Sequence, residues 1–236
     1  MKYFPAILFF LFLLACGSPD INNIQYFSEI PSIIVSENDQ EYVKNKYTEF
    51  TSESLDTAKG PCGFASYMID FDNQPQNTPP FEIGSFVWEN FPLSSFKMMS
   101  GEITDSYTEL MLGVSDTIIL NQYFFFSVKQ NVPAEEKYRY ELLCNTDSIE
   151  TDSITNIKST IMFLRAEKIQ AQNDTVKITT LTPVVFDLST FLENQIQQGN
   201  DSFASFKLKY ASRTNSEGNI VYAYYSKNPI KIVLNP

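Results

Sequence analysis

Carboxylates have the strongest claim to chemistry in this sequence. Asp70 and Asp72 stand two apart, and Glu82 and Glu89 flank Trp88, the sole tryptophan. Two carboxyl groups astride a glycosidic bond can hydrolyse it with no other titratable partner. They would have to work alone, because the 236 residues include no histidine. That absence removes Ser-His-Asp and Cys-His nucleophilic catalysis, histidine-ligated zinc or iron, and imidazole proton shuttles. No feature of the sequence distinguishes a proton donor among the acids, and acids bordering turns are ordinary surface residues. Ser94 and Lys97 have S-x-x-K spacing, but they follow Pro92 without a helix to present them. The expectation is a protein that is not an enzyme, with a carboxylate-dependent glycoside hydrolase as the least favoured reading.

Binding chemistry has more candidates. Trp88, Tyr222, Tyr224 and Tyr225 could offer flat faces to sugar rings, though strand alternation puts Tyr222 and Tyr224 on one face and Tyr225 on the other, so some belong to a core. Residues 145–152 gather Asp147, Glu150 and Asp152 among hydroxyl and amide oxygens. The stretch lacks the spacing and the glycine of a known calcium loop, and a solvated hairpin is expected there, with no metal and no cofactor. Acidic residues outnumber basic ones 28 to 17, for a formal charge of −11. With no basic stripe to neutralise phosphates, nucleic acid is excluded as a partner.

The elements that must hold these residues begin with an export signal. Met1 to Ala15 carries Lys2 and then an unbroken apolar run from Ala6 to Leu14, too short to span a bilayer. The run ends Leu13-Leu14-Ala15-Cys16 and is followed by Gly17-Ser18-Pro19-Asp20. These residues resemble the bacterial lipoprotein signal. The resemblance implies cleavage before Cys16, lipidation of Cys16 and attachment to a membrane through acyl chains, each buried methylene contributing ~0.8 kcal/mol. Residues 1–15 would then be the signal peptide and 16–40 the lipidated cysteine and its tether, although Ile33-Ile34-Val35 could instead be a first edge strand. A lipid-anchored outer-membrane position in the cell envelope is expected, with its face, periplasmic or surface, left open. The chain as a whole, rich in Tyr, Asn and Asp, is similar to envelope lipoproteins of the Bacteroidota.

With Cys16 acylated, Cys62 and Cys144 form an even pair in a compartment that permits disulfides. A bridge would close a loop of roughly eighty residues and contribute ~4 kcal/mol in the chain-entropy model. Two separately buried thiols are the alternative.

From Phe64 onward, short alternating runs separated by turn residues indicate an antiparallel β protein. Thr117 to Lys129 reads as one strand in which Gln122 breaks the parity, Glu136 to Cys144 places Cys144 inward, and Phe206, Leu208 and Tyr210 alternate with Lys207 and Lys209. One helix is expected over 190–198, with Thr190 and Glu193 at capping-box spacing and Gly199 as its terminator. Nine to eleven strands imply a two-sheet, jelly-roll-like sandwich over residues 41–236, divisible near 145–156.

The C-terminal part contains Val185-Phe186-Asp187-Leu188-Ser189, the helix, Ser205-Phe206-Lys207-Leu208 and Tyr224-Tyr225-Ser226-Lys227-Asn228-Pro229-Ile230-Lys231-Ile232-Val233. It resembles the end of DNRLRE-type jelly-roll modules, related to carbohydrate-binding sandwiches. That resemblance implies adhesion or glycan contact and brings no catalytic residues. The expected function is binding or adhesion, to a glycan or an envelope protein, with an accessory subunit of an outer-membrane complex as the alternative.

Overall fold

The computed structural model describes residues 23–234, apart from 59, 102, 104–107, 154, 172–175 and 201. The signal peptide expected at 1–15 and the lipidation expected at Cys16 lie outside the described residues. No helix among those described is long and apolar enough to cross a membrane.

The fold is all-β and sandwich-like, as expected, but its strands form three sheets rather than two. The N-terminal sheet holds β1 (Ile24–Glu37), β2 (Gln40–Asn45), β3 (Glu49–Ser52), β4 (Cys62–Asp70), β5 (Phe81–Ile83) and β6 (Phe86–Asn90), in the order β5-β3-β2-β1-β4-β6. A middle sheet is made of β8 (Gly113–Leu120), β9 (Tyr123–Pro133) and β12 (Lys177–Asp187), in the order β12-β9-β8. The outer sheet contains β7 (Ser95–Met99), β10 (Lys137–Thr151), β11 (Lys158–Gln170), β13 (Phe203–Thr214), β14 (Ile220–Tyr224) and β15 (Ile230–Val233). Its order is β14-β13-β11-β10-β7, with β15 also paired to β13. Most pairings are antiparallel, but β3–β5, β7–β10 and β11–β13 are parallel.

The middle sheet is apolar on both faces because β9 is. Phe124, Phe126 and Val128 point one way, with Val184 and Phe186 of β12, into a core shared with Leu142, Cys144, Met162, Leu164, Phe206 and Leu208 of the outer sheet. Tyr123 and Phe125 point the other way, with Val185, against Ile33, Val35 and Cys62 of the N-terminal sheet. A third cluster, including Val43, Phe50, Tyr67 and Ile69, is built from residues of the N-terminal sheet itself. Two-sided hydrophobicity is what a strand buried between layers requires.

Several expectations change accordingly. The tether placed at 16–40 cannot extend that far, since β1 starts at Ile24 and is a central strand hydrogen-bonded to both β2 and β4. Neither is Ile33-Ile34-Val35 at an edge. Its signal was faint because β1 is interrupted by a bulge between Phe27 and Ile30, which resets the alternation. Gln122 broke parity because it lies in the turn between β8 and β9, where Asn121 takes φ 51°. The helix α1 (Ser189–Gln197) exists, yet without the capping box: Leu188 is its N-cap, and the Asp187 carboxylate accepts from the Ser189 amide at 2.9 Å. Gly199 ends it with φ 82°. Cys62 and Cys144 are free and buried in different clusters, so no bridge joins them. Burial pushes the Cys144 thiol up to about 12, and burial, aided by the Asp187 charge, pushes Cys62 up to about 11, so both are poor nucleophiles.

Candidate functional site: a cleft between layers

Where the N-terminal and middle sheets part, they leave a cleft of about 290 Å³. One wall is built from Ile30 and Pro31 of β1, Phe64 of β4 and Phe91, and the other from Ile118 of β8, Phe125 and Ser127 of β9 and Pro183 of β12. Glu29, Lys46 and Asp116 supply its charge.

The two carboxylates reach the cleft through the same backbone device. β1 is bulged between Phe27 and Ile30, with Glu29 at φ 52°, and β8 is bulged between Ser115 and Ile118, with Asp116 at φ 55°. A bulge inserts an extra residue and re-aims its side chain, and left-handed backbone is costly for residues other than glycine. Surrounding bonds hold both positions. The Glu29 amide donates to Ser66 Oγ at 2.8 Å, and Ser115 Oγ donates to Asp116 Oδ2 at 2.8 Å. Among the described residues neither carboxylate forms an ion pair. Lys46 lies with its ammonium 4.7 Å from the centre of the Tyr47 ring. A largely apolar lining that includes two carboxylates without ion pairs can accept a hydrophobic group and hold a donor or a positive charge beside it. A wider hollow of about 650 Å³ near Ser52 and Glu82 is mainly polar surface and offers no comparable floor.

The aromatics singled out in the sequence do not meet. Trp88 lies half-buried on β6, edge-on to Phe86 at 6.2 Å, and covers Gly63 so closely that an added Cβ would stand 2.6 Å from its Cε2. Tyr222 packs edge-on against Phe163 at 5.6 Å. Tyr225 joins the main core and its hydroxyl shares a 2.9 Å hydrogen bond with Thr117 Oγ1. Tyr224 is exposed, but its hydroxyl donates to Glu150 while Lys209 sits 4.6 Å from its ring centre. The hydroxyl of Tyr224 and the ammonium groups of Lys207 and Lys209 hold the Glu150 carboxyl below its ordinary range despite its partial burial.

The carboxylate pairs are also separate. Asp70 accepts from the Asp72 amide at 3.1 Å and from Asn73 at 2.7 Å, and so caps the 3-10 turn Phe71–Asn73, while Asp72 accepts from the Asn23 amide at 3.1 Å. Glu82 and Glu89 are on β5 and β6, at opposite ends of the sheet order. Residues 145–152, expected as a loop, are mostly the second half of β10, with a bulge between Asn145 and Ile149. Asp147 there accepts from the Gly101 amide at 2.9 Å, and no group of three or more potential metal ligands occurs among the described residues.

Sequence reasoning missed Glu29, Lys46 and Asp116. Their one local signal is broken alternation: Ser115-Asp116-Thr117 interrupts the apolar parity running from Val114 to Ile118, as Ser28-Glu29 does between Phe27 and Ile30.

Fold and cleft together define a class, a layered all-β protein with a largely apolar cleft between two of its sheets. Comparison with solved structures places it in similar company. An uncharacterized protein from Parabacteroides merdae ATCC 43184 superposes with a TM-score of 0.64 at 14% identity, over 89% of this chain and 100% of its own. A NigD-like immunity protein from Bacteroides caccae ATCC 43185 superposes with a TM-score of 0.50 at 11% identity, over 89% and 99%. At such identities the shared property is the fold. No family model and no curated protein matches the sequence, so the jelly-roll resemblance of its C-terminal residues stands on motifs alone.

Proposed function

We propose that this is a lipid-anchored, non-catalytic binding protein of the bacterial envelope, and that its interlayer cleft receives part of a protein partner. The observation that carries the reading is the cleft itself: a largely apolar lining that includes two exposed acidic residues on left-handed, bulged backbone. Its volume is at the lower end for ligand pockets, which suits one or two side chains of a partner better than a whole small molecule. A glycan platform would need neighbouring exposed rings, and three of the four candidate aromatics are engaged in packing. The immunity-like name of the Bacteroides caccae neighbour is compatible with a role exercised by binding. Anchoring rests on Cys16 and the signal before it.

A photoreactive benzoylphenylalanine in place of Phe91 tests the cleft in living cells. It should form a discrete protein adduct, whereas the same group at Val87, exposed on β6 and outside the cleft, should not. Absence of an adduct at position 91, or equal adducts at both, rejects the cleft as the site. Labelled palmitate should enter the unaltered chain and be lost from Cys16→Ser; an unlabelled, soluble wild-type product rejects the anchor.

A further inference from the structure

We infer that the cleft selects a cationic side chain, lysine or arginine, of the protein partner. The inference rests on the proposed use of the cleft and adds the chemistry of what enters it.

Three observations converge. The lining is largely apolar, with Phe64, Phe91, Phe125 and Ile118 around a volume of about 290 Å³, room for a methylene stem. Basic side chains bury such stems against apolar surface while keeping the charged head at a polar rim. The lining includes Glu29 and Asp116, each exposed and each at a bulge, and among the described residues neither is neutralised by an ion pair. Lys46, the one cation in the lining, lies beside the Tyr47 ring. The lining therefore carries one net negative charge, and a cationic head restores balance. An anionic or purely apolar side chain would leave both carboxylates without a counter-charge, since among the described residues Asp116 has only the Ser115 hydroxyl as a hydrogen-bond donor. The charge of the whole chain, −11, acts in the same direction at longer range by favouring encounter with basic partners.

The test is panning of a random dodecapeptide library on the immobilised full-length protein, followed by titration of individual peptides. Three proteins are compared: wild type, the Glu29→Gln/Asp116→Asn double variant, and Ser127→Phe, which fills the cleft from its floor. Circular dichroism melts confirm that each is folded. The expected result is enrichment of peptides with a lysine or arginine, whose binding falls about tenfold in the double variant at low salt and is lost in Ser127→Phe. Replacing that basic residue by norleucine in the peptide should reproduce the tenfold loss on wild type and have no effect on the double variant. Enrichment of apolar or acidic peptides that still fail on Ser127→Phe overturns the cation and leaves the cleft as the site. Peptides that bind Ser127→Phe as well as wild type overturn both.

Discussion

The two faces of the middle sheet are made from alternate residues of the same strand, yet they are finished differently. Toward the outer sheet, Phe124, Phe126 and Val128 of β9 enter a closed core in which Phe124 lies 4.8 Å from Phe126 and 5.4 Å from Phe206, centre to centre. Toward the N-terminal sheet, Tyr123 and Phe125 are covered, but Ser127 lines an open cleft and Lys129 beyond it is exposed. The first face supplies stability. The second spends part of its apolar surface on an opening, which a fold selected only for stability would close, since packed interiors leave few voids.

The contrast can be broken most severely at Phe124. Phe124→Ala should leave a closed cavity that neighbours cannot fill and cost about 4 kcal/mol in denaturant unfolding. Phe125→Ala, one residue along, removes the same atoms beside an existing opening, so mainly the transfer contribution is lost, about 2 kcal/mol. Equal costs for the two would mean that the cleft is closed in solution. In the N-terminal layer, Gly63→Ala would drive a methyl to within 2.5 Å of the Glu89 carbonyl and against the Trp88 ring, and should cost about 2 kcal/mol with a shift in tryptophan fluorescence. An unchanged spectrum would show that Trp88 does not seal that glycine.

A smaller effect belongs to the outer sheet's exposed face. Lys97 donates to Glu141 at 2.8 Å and, with Arg165 nearby, holds that carboxyl below its usual range. A carboxylate depressed by folding contributes stability that is full above its unfolded value and is lost as pH falls through its folded one. Acidification from about pH 5 downward should therefore erode stability by less than ~1 kcal/mol at this pair, because Lys97 is well exposed, and Glu141→Gln should flatten that part of the profile. The smallest effect is expected in the cleft. Glu29→Gln/Asp116→Asn should change stability by less than ~0.5 kcal/mol, as exposed charges without ion-pair partners do, the amide oxygen introduced at position 116 still being able to accept from Ser115. A large change there would mark the two carboxylates as structural.

Much of the architecture was legible because local patterns have local causes. Lys207 and Lys209 between Phe206, Leu208 and Tyr210 announced β13, and Gly199 announced the end of α1, since strand parity and left-handed termination are decided within a few residues. Of β1 only Ile33-Ile34-Val35 was legible, and only as an alternative edge strand; its start at Ile24, beyond a bulge, and its central place between β2 and β4 were not. The cleft was not legible at all. Trp88 and Tyr222 stand out by residue type, yet type does not say whether a ring faces solvent or a neighbouring layer.

What the residues dictated unaided was therefore the β class, the exclusion of histidine chemistry, the inward set of Cys144, Phe206 and Leu208, and the position of the helix, all consequences of composition and of a two-residue period. The stacking of three sheets, the separation of Cys62 from Cys144 and the placement of Glu29 and Asp116 in the lining of one cleft were decided in three dimensions. Residues 29 and 116 belong to different sheets far apart along the chain, and only the packing of one layer on another brings such positions together.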